Sequence, residues 1–265
     1  MPRALAIAGS DSGGGAGVGA DLKTFEAHGV WGTLAIVAVT AQNTLGVQAF
    51  ETIPVDLVRR QIESVAADIG VDAAKTGMLA TAELVSTVAA AVADFGIAPL
   101  VVDPVLISKH GDALLADDAV GALREELLPH ASIVTPNLPE ASRLVGFDVD
   151  TRPAMEEAAR LLTALGVHVA LVKGGHLADT ESSPDCLMRR DDAEPTWLEG
   201  ARVAGPHTHG TGCVLSAAIT AELARGMEPV DACLAGKRFV ARAIAAGIEL
   251  GGGVGPVDPG WERRT

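Results

Sequence analysis

Short runs that read as strands alternate with runs at helical spacing along almost the whole chain. That alternation constrains the fold more than any other feature. The stretches "ALAIAG" (4–9), "GTLAIVAVTA" (32–41), "VDAAKTG" (71–77), "PLVVDP" (99–104), "ASIVTPN" (131–137) and "VHVALVKGG" (167–175) read as strands. Between them, 17–29, 54–70, 81–96, 112–129, 138–146 and 152–166 read as helices. Pro54 fits the first turn of one helix, and Thr81 is placed to cap another. Strands alternating with helices predict an α/β chain whose mostly parallel sheet is covered on both faces. "VQAFETI" (47–53) alternates like an edge or hairpin strand, and 184–203 reads as a hairpin with an acidic turn. Two helices, 211–226 and 229–247, close a chain that shows no internal repeat or linker and reads as one domain over 1–265.

Charge and composition remove several classes of function. A net charge of −14, with basic residues only in scattered pairs, argues against a nucleic-acid partner. So do the absence of Tyr and the scarcity of Phe and Trp, which leave few stacking platforms. Cys186, Cys213 and Cys233 are odd in number and form no C-x-x-C, so neither a disulfide framework nor a structural zinc site is expected. No stretch approaches eighteen uninterrupted apolar residues, and the N-terminal apolar run is too short for a signal peptide. The expectation is a soluble, cytoplasmic protein with no membrane partner.

In sheets of this kind ligands bind beyond the carboxyl ends of the strands, so motifs just after a strand are the candidates. "GSDSGGGAG" (9–17) is one, readable as a flexible turn or as a ligand loop. No G-x-x-x-x-G-K-[ST] occurs, so a nucleotide would be held without a P-loop. Asp103 closes "VVDP", where turn chemistry is the plain alternative. Thr135, Asn137 and Glu140 open a helix, an arrangement that by itself reads as a cap. Lys173 falls in a strand that should be buried, which points to an ammonium emerging at the ligand edge. In "HGTGC" (209–213), Thr211 and the glycines leave N–H groups unpaired at the first turn of an apolar helix, an anion site by construction. The same dipole is expected to lower the pKa of Cys213, whereas Cys233 reads as packing. An anion cradle with a base at its lip suits phosphoryl transfer.

Together "AGSDSGGGAGVGADLKTF", "TAQNTLGV", "AAKTGML", "TPNLPEA" with "LVKGGHL", and "THGTGC" resemble the hydroxymethylpyrimidine/phosphomethylpyrimidine kinases of thiamin biosynthesis, in the ribokinase-like superfamily. The likeness runs in one order from about residue 4 to the "GVGPV" tail. It implies a doubly wound sheet with a small β flap, often a homodimer, and the use of ATP and Mg2+ on an aminopyrimidine alcohol and then on its phosphate. It further implies that Gly210, Thr211 and Gly212 form the anion hole, with Cys213 as base. Gly9 and Gln42 would meet the aminopyrimidine, Asp21 would lie near the hydroxymethyl group, and Met78 with Val105 would sandwich the ring. Lys173, Asn137 and Thr135 would serve the ATP phosphates, and Asp103 with Glu140 the metal, through water. Thr40 stands where a small apolar pocket residue is expected.

Three rivals stay open on sequence alone. The scaffold also serves pyridoxine or pyridoxal kinases. A non-catalytic pyrimidine-binding protein would keep the pocket and lose turnover. Cys213 as an acyl or redox nucleophile would need a partner, for which only His207 and His209 are near in sequence.

Overall fold

In the computed structural model, which describes residues 1–106, 117–178 and 181–263, the predicted alternation builds a three-layer sandwich. The chain begins β1 (Arg3–Ala8), α1 (Gly17–Ala27), β2 (Trp31–Ile36), β3 (Ala38–Asn43), β4 (Gly46–Thr52) and α2 (Val55–Ser64). It continues β5 (Ala73–Thr76), α3 (Ala82–Asp94), β6 (Leu100–Val102), α4 (Asp117–Ala122), β7 (Ile133–Val134), α5 (Leu138–Val145) and α6 (Arg152–Ala164). It ends with β8 (Val169–Val172), β9 (Asp185–Arg189), β10 (Thr196–Leu198), α7 (Thr211–Ala224) and α8 (Pro229–Ala245). The helix expected over 112–129 is helical from Asp117, and its first residues lie outside the described ones.

Side-chain size sorts the two faces of the sheet. Leu5, Ile7, Leu100 and Val102 pack against α2, α3, α5 and α6. Ala4, Ala6 and Ala8 point the other way, against Val18 and Phe25 of α1 and Ala217 and Ala221 of α7. With small residues on both sides of that contact, α7 can lie close to the sheet, so its N-terminus reaches the strand ends. Helix α7 is buried from Val214 to Leu223, as expected of a helix apolar all round.

The main sheet runs β10-β9-β8-β7-β6-β5-β1-β2, with the β8–β9 and β9–β10 pairings antiparallel and the others parallel. Strand order reverses between β1 and β5, which makes their carboxyl ends the topological switch point. The hairpin expected over 184–203 is present as β9–β10, joined to the sheet through β8. One expectation needs correction. The strand read over 32–41 is two strands, because the chain leaves the sheet at Val37 and β3 pairs only with β4 in a separate ribbon. The Val37 N–H still bonds the Ala8 carbonyl, while its own carbonyl accepts from Ile53 in the ribbon. Apolar residues continue across that departure, so no Gly or Pro marked it. Thr81 caps α3 by accepting from the Leu84 N–H at 3.2 Å. Among the described residues no helix is long and apolar enough to cross a membrane.

Candidate active site

The carboxyl ends of β1, β5, β6 and β8 open into one cavity of about 1280 Å³. Its wall brings together Gly9, Gln42, Met78, Asp103, Val105, Asn137, Glu140, Lys173 and the 210–213 turn. Asp21 and Thr135, by contrast, do not line it. Asp21 is fully buried behind the wall, ion-paired with Lys75, and Thr135 donates from beneath to Asp103 at 3.3 Å.

Two glycine turns build the cavity's centre against each other. Gly210 has φ +80°, and a Cβ there would collide with the Gly15 carbonyl. Only glycine satisfies both constraints. Asp11 organises the other turn. Its carboxylate accepts from the N–H groups of Gly13 (2.8 Å), Gly15 (3.0 Å) and Ala16 (2.8 Å), and its Oδ2 stands 2.8 Å from His209 Nε2. Burial pushes the Asp11 pKa up, but the His209 bond and the backbone donors outweigh it and hold it low. Asp11 thus consumes donors in the first loop, whereas at the start of α7 the Thr211 N–H bonds the Thr208 carbonyl at 3.4 Å and, among the described residues, those of Gly212 and Cys213 have no protein acceptor.

The β3–β4 ribbon closes one side. A register shift between Ala41 and Gln42 puts Gln42 on the inner face, where Nε2 is 3.3 Å from His209 Nε2. Thr40 is tolerated in this wall because its hydroxyl donates to the Ser10 carbonyl at 2.9 Å. Met78 lies against Gly9 so closely that a Cβ on Gly9 would stand 2.6 Å from Met78 Cε.

Lys173 lies just past β8, its side chain 15% exposed, and its Nζ is 3.3 Å from Asp103 Oδ1 and 4.0 Å from Glu140 Oε2. Burial lowers its pKa, but Asp103 and Glu140 more than offset this, so it remains an ammonium. Asp103 also accepts from Ser216 Oγ at 3.2 Å. Glu140 and Asn137 form a reciprocal capping box at the start of α5, so the cap reading of that cluster describes their geometry. Burial pushes the Glu140 carboxyl up, against the pull of Lys173. A Cβ on Gly212 would stand 3.6 Å from both Asp103 Oδ2 and Lys173 Nζ, so the α7 turn faces this charged cluster. Asp103 and Glu140 offer hard oxygen donors next to it. Among the described residues no three His, Cys, Asp or Glu side chains cluster to hold an ion alone. An ion here would be shared with a ligand's phosphates and water, as Mg2+ usually is.

Cys213 lines the cavity at the first turn of α7, but its acidity runs opposite to the expectation. Burial raises the thiol to about 11, with Asp21 and Asp103 adding to the rise; Lys75 and the Gly17 N–H pull against it. Desolvation of a half-buried sulfur in the cavity wall outweighs the helix dipole. His209 is committed to Asp11 and Gln42, and no bond joins it to Cys213 among the described contacts. Asp11, Lys75 and Ser216 are not among the site residues expected from the sequence, which offers His209 only as a partner for Cys213, yet each holds a wall residue or a turn in place.

Comparison with known proteins gives the family and the fold. The family model described as phosphomethylpyrimidine kinase matches residues 11–258. A hydroxymethylpyrimidine/phosphomethylpyrimidine kinase from Streptomyces coelicolor is 52% identical over 260 residues, spanning 98% of this chain and 95% of its own. The ADP complex of Bacillus subtilis pyridoxal kinase superposes with a TM-score of 0.92 at 39% identity, covering 100% of both chains. A phosphomethylpyrimidine kinase structure from Clostridium difficile gives 0.81 at 38% identity, covering 92% of this chain and all of its own.

Proposed function

The chain belongs to the phosphomethylpyrimidine kinase family, and from that premise we propose that it phosphorylates 4-amino-5-hydroxymethyl-2-methylpyrimidine with ATP. A second ATP then converts the monophosphate to the diphosphate, in thiamin biosynthesis. The observation that carries this reading is the Gly210-Thr211-Gly212 turn. Its Gly212 N–H, with that of Cys213, has no protein acceptor among the described residues and stands at the head of a buried helix, beside Lys173 and at the sheet's switch point. Such a turn holds charge on a migrating phosphoryl group without reorganising.

The chain's groups divide the work. Gln42 meets the aminopyrimidine edge, since its amide both donates and accepts. Met78 and Val105 hold the ring, the thioether making a soft contact with it. Lys173 meets the ATP phosphates, with Asn137 at the same edge. Asp103 and Glu140 would hold Mg2+, and the ion would neutralise phosphate charge when bound.

Cys213, as the thiolate, takes the proton of the hydroxymethyl group. The alcohol oxygen bonds to the γ-phosphorus, and the bond to the bridging oxygen breaks with its electron pair leaving on ADP. The neutral thiol then returns its proton to water. A thiol near 11 keeps only a small thiolate fraction at neutral pH, but that thiolate is a strong base for an alcohol. In the second transfer the nucleophile is already a phosphate oxyanion, with a pKa of roughly 6, and needs no base. Assembly as a homodimer belongs to the same reading and is checked by light scattering.

Mass spectrometry of the aminopyrimidine alcohol incubated with ATP, Mg2+ and the protein tests the proposal. The monophosphate and then the diphosphate are expected, and ligand binding without either product would instead support a non-catalytic pyrimidine-binding protein. The likeness to Bacillus subtilis pyridoxal kinase favours pyridoxal as a second substrate. Comparing kcat/KM for the two alcohols ranks them.

A further inference from the structure

Lys75 and Asp21 form an ion pair sealed from solvent, both side chains 0% exposed, with Nζ at 3.1 and 3.2 Å from the carboxylate oxygens. Such a pair is a poor investment for stability, since apolar residues of similar volume usually do as well or better. The proposed chemistry leaves it unused, yet its position is specific. Asp21 lies one turn of α1 below Gly17, whose N–H is directed at the Cys213 sulfur. Lys75 lies two residues before Gly77, a wall residue, and a Cβ on Gly77 would stand 3.3 Å from Nζ. The ammonium thus stands directly behind Gly77, in the wall of the cavity that Cys213 also lines.

We propose that Lys75, held in place by Asp21, is a positioning residue for Cys213: its buried ammonium is the fixed positive charge that lets the sulfur carry negative charge while the alcohol's proton is in transit. The inference rests on the reading of Cys213 as base and deepens it. Asp21 then acts through Lys75 and does not touch the substrate. Among the described residues the other charged groups that act on the sulfur are Asp21 and Asp103, which oppose the anion, and Lys173, which lies toward the phosphate end of the cavity. Among the described residues Lys75 is the one charged neighbour that is both cationic and fully sealed, so substrates and salt cannot screen it. Burial works against its charge, but Asp21, Cys213 and Asp103 together hold it firmly as an ammonium.

The test is the rate of iodoacetamide alkylation of Cys213 across pH 7.5–9.5, read by peptide mass spectrometry. Buried Cys186 and Cys233 report any loosening of the fold. Asp21→Asn leaves the ammonium without its carboxylate, so the thiol's pKa should fall by about one unit. Tenfold more thiolate, offset by its lower nucleophilicity, gives about threefold faster labelling. Adding Lys75→Gln to Asp21→Asn should reverse that gain, and Lys75→Met alone should slow labelling below the unaltered protein. Where Lys75→Met does not fold, the contrast between Asp21→Asn and the neutral double variant decides. Where Asp21→Asn also fails, the double variant, which strands no buried charge, should label Cys213 more slowly than the unaltered protein, and equal or faster labelling there overturns the proposal. Equal labelling of Asp21→Asn and the double variant would overturn the proposal, as would faster labelling of all three cysteines together. Alkylation requires no turnover. A Cys213→Ala variant that keeps both phosphorylation rates therefore sinks the base reading without touching this result.

Discussion

Lys75 and Lys173 stand at the same edge of the same sheet, on either side of Cys213, and each is paired with an aspartate. Lys75 and Asp21 have no exposed surface and no other ionic partner within bonding distance among the described residues. Lys173 opens on the cavity and shares Asp103 with Thr135 and Ser216, with Glu140 near by. The sealed pair depends on itself, whereas the open one is embedded in a network of neutral donors. Removing a member of the first should therefore damage the fold, and removing a member of the second should damage phosphoryl transfer.

The largest effect that sharpens this contrast is thermodynamic. Lys75→Met strands a buried carboxylate and should cost about 3–5 kcal/mol of stability, whereas the neutral pair Asp21→Asn/Lys75→Gln should cost far less. Urea unfolding at neutral pH separates the two. Lys173→Ala should unfold near the concentration of the unaltered protein, because Asp103 keeps two other donors. Its kcat/KM should nevertheless fall about 100- to 1000-fold, the usual loss of one preorganised donor. If both lysines cost stability alike, the open–sealed distinction fails.

The rule that exposed Lys173 in the sequence, a lysine inside a strand that should be buried, applies equally to Lys75 in "VDAAKTG". Nothing local tells the two apart, since their aspartate partners lie 54 and 70 residues away. The layers, the glycine turns and the switch-point site were legible because apolar period and Gly-Thr-Gly spacing are local properties. Asp11 was not, although an acid inside a glycine loop can collect several backbone donors and does so here. The break at Val37 was hidden because burial in the ribbon and burial in the sheet select the same residues. The acidity of Cys213 was misjudged for a related reason. A helix start is visible in sequence, but the protein closing around the sulfur, with Asp21 and Asp103 near by, is assembled from distant segments.

That enclosure gives Cys213 a measurable signature between the two lysines. With thiolate as the active form and the thiol raised to about 11, the first phosphorylation should accelerate as pH rises. The gain should approach tenfold per unit between pH 7 and 9. The second should level off above about pH 7, where the phosphate nucleophile is already deprotonated. Cys213→Ala should slow the first step about 100-fold, as expected for loss of a general base, and leave the second nearly unchanged. Equal losses in both steps, with substrate binding intact, would return Cys213 to a packing role.

The smallest effect probes why the open pair tolerates change. Ser216 is buried on α7 and donates to Asp103 Oδ2 at 3.2 Å, while also lying 3.1 Å from the Cys213 carbonyl. Its hydroxyl has one proton, so it can serve one of these acceptors at a time. Ser216→Ala removes that donor while Lys173 and Thr135 still bond Asp103 Oδ1, leaving Oδ2 short of a protein donor. The expected cost is about 1 kcal/mol of stability. A less restrained Asp103 should also weaken apparent Mg2+ affinity a few-fold, read by titrating the ion at saturating ATP, while Cys213 alkylation stays unchanged. A shift in alkylation instead would mean that the open network reaches the sulfur as strongly as Lys75 does, and the two lysines could no longer be assigned separate work.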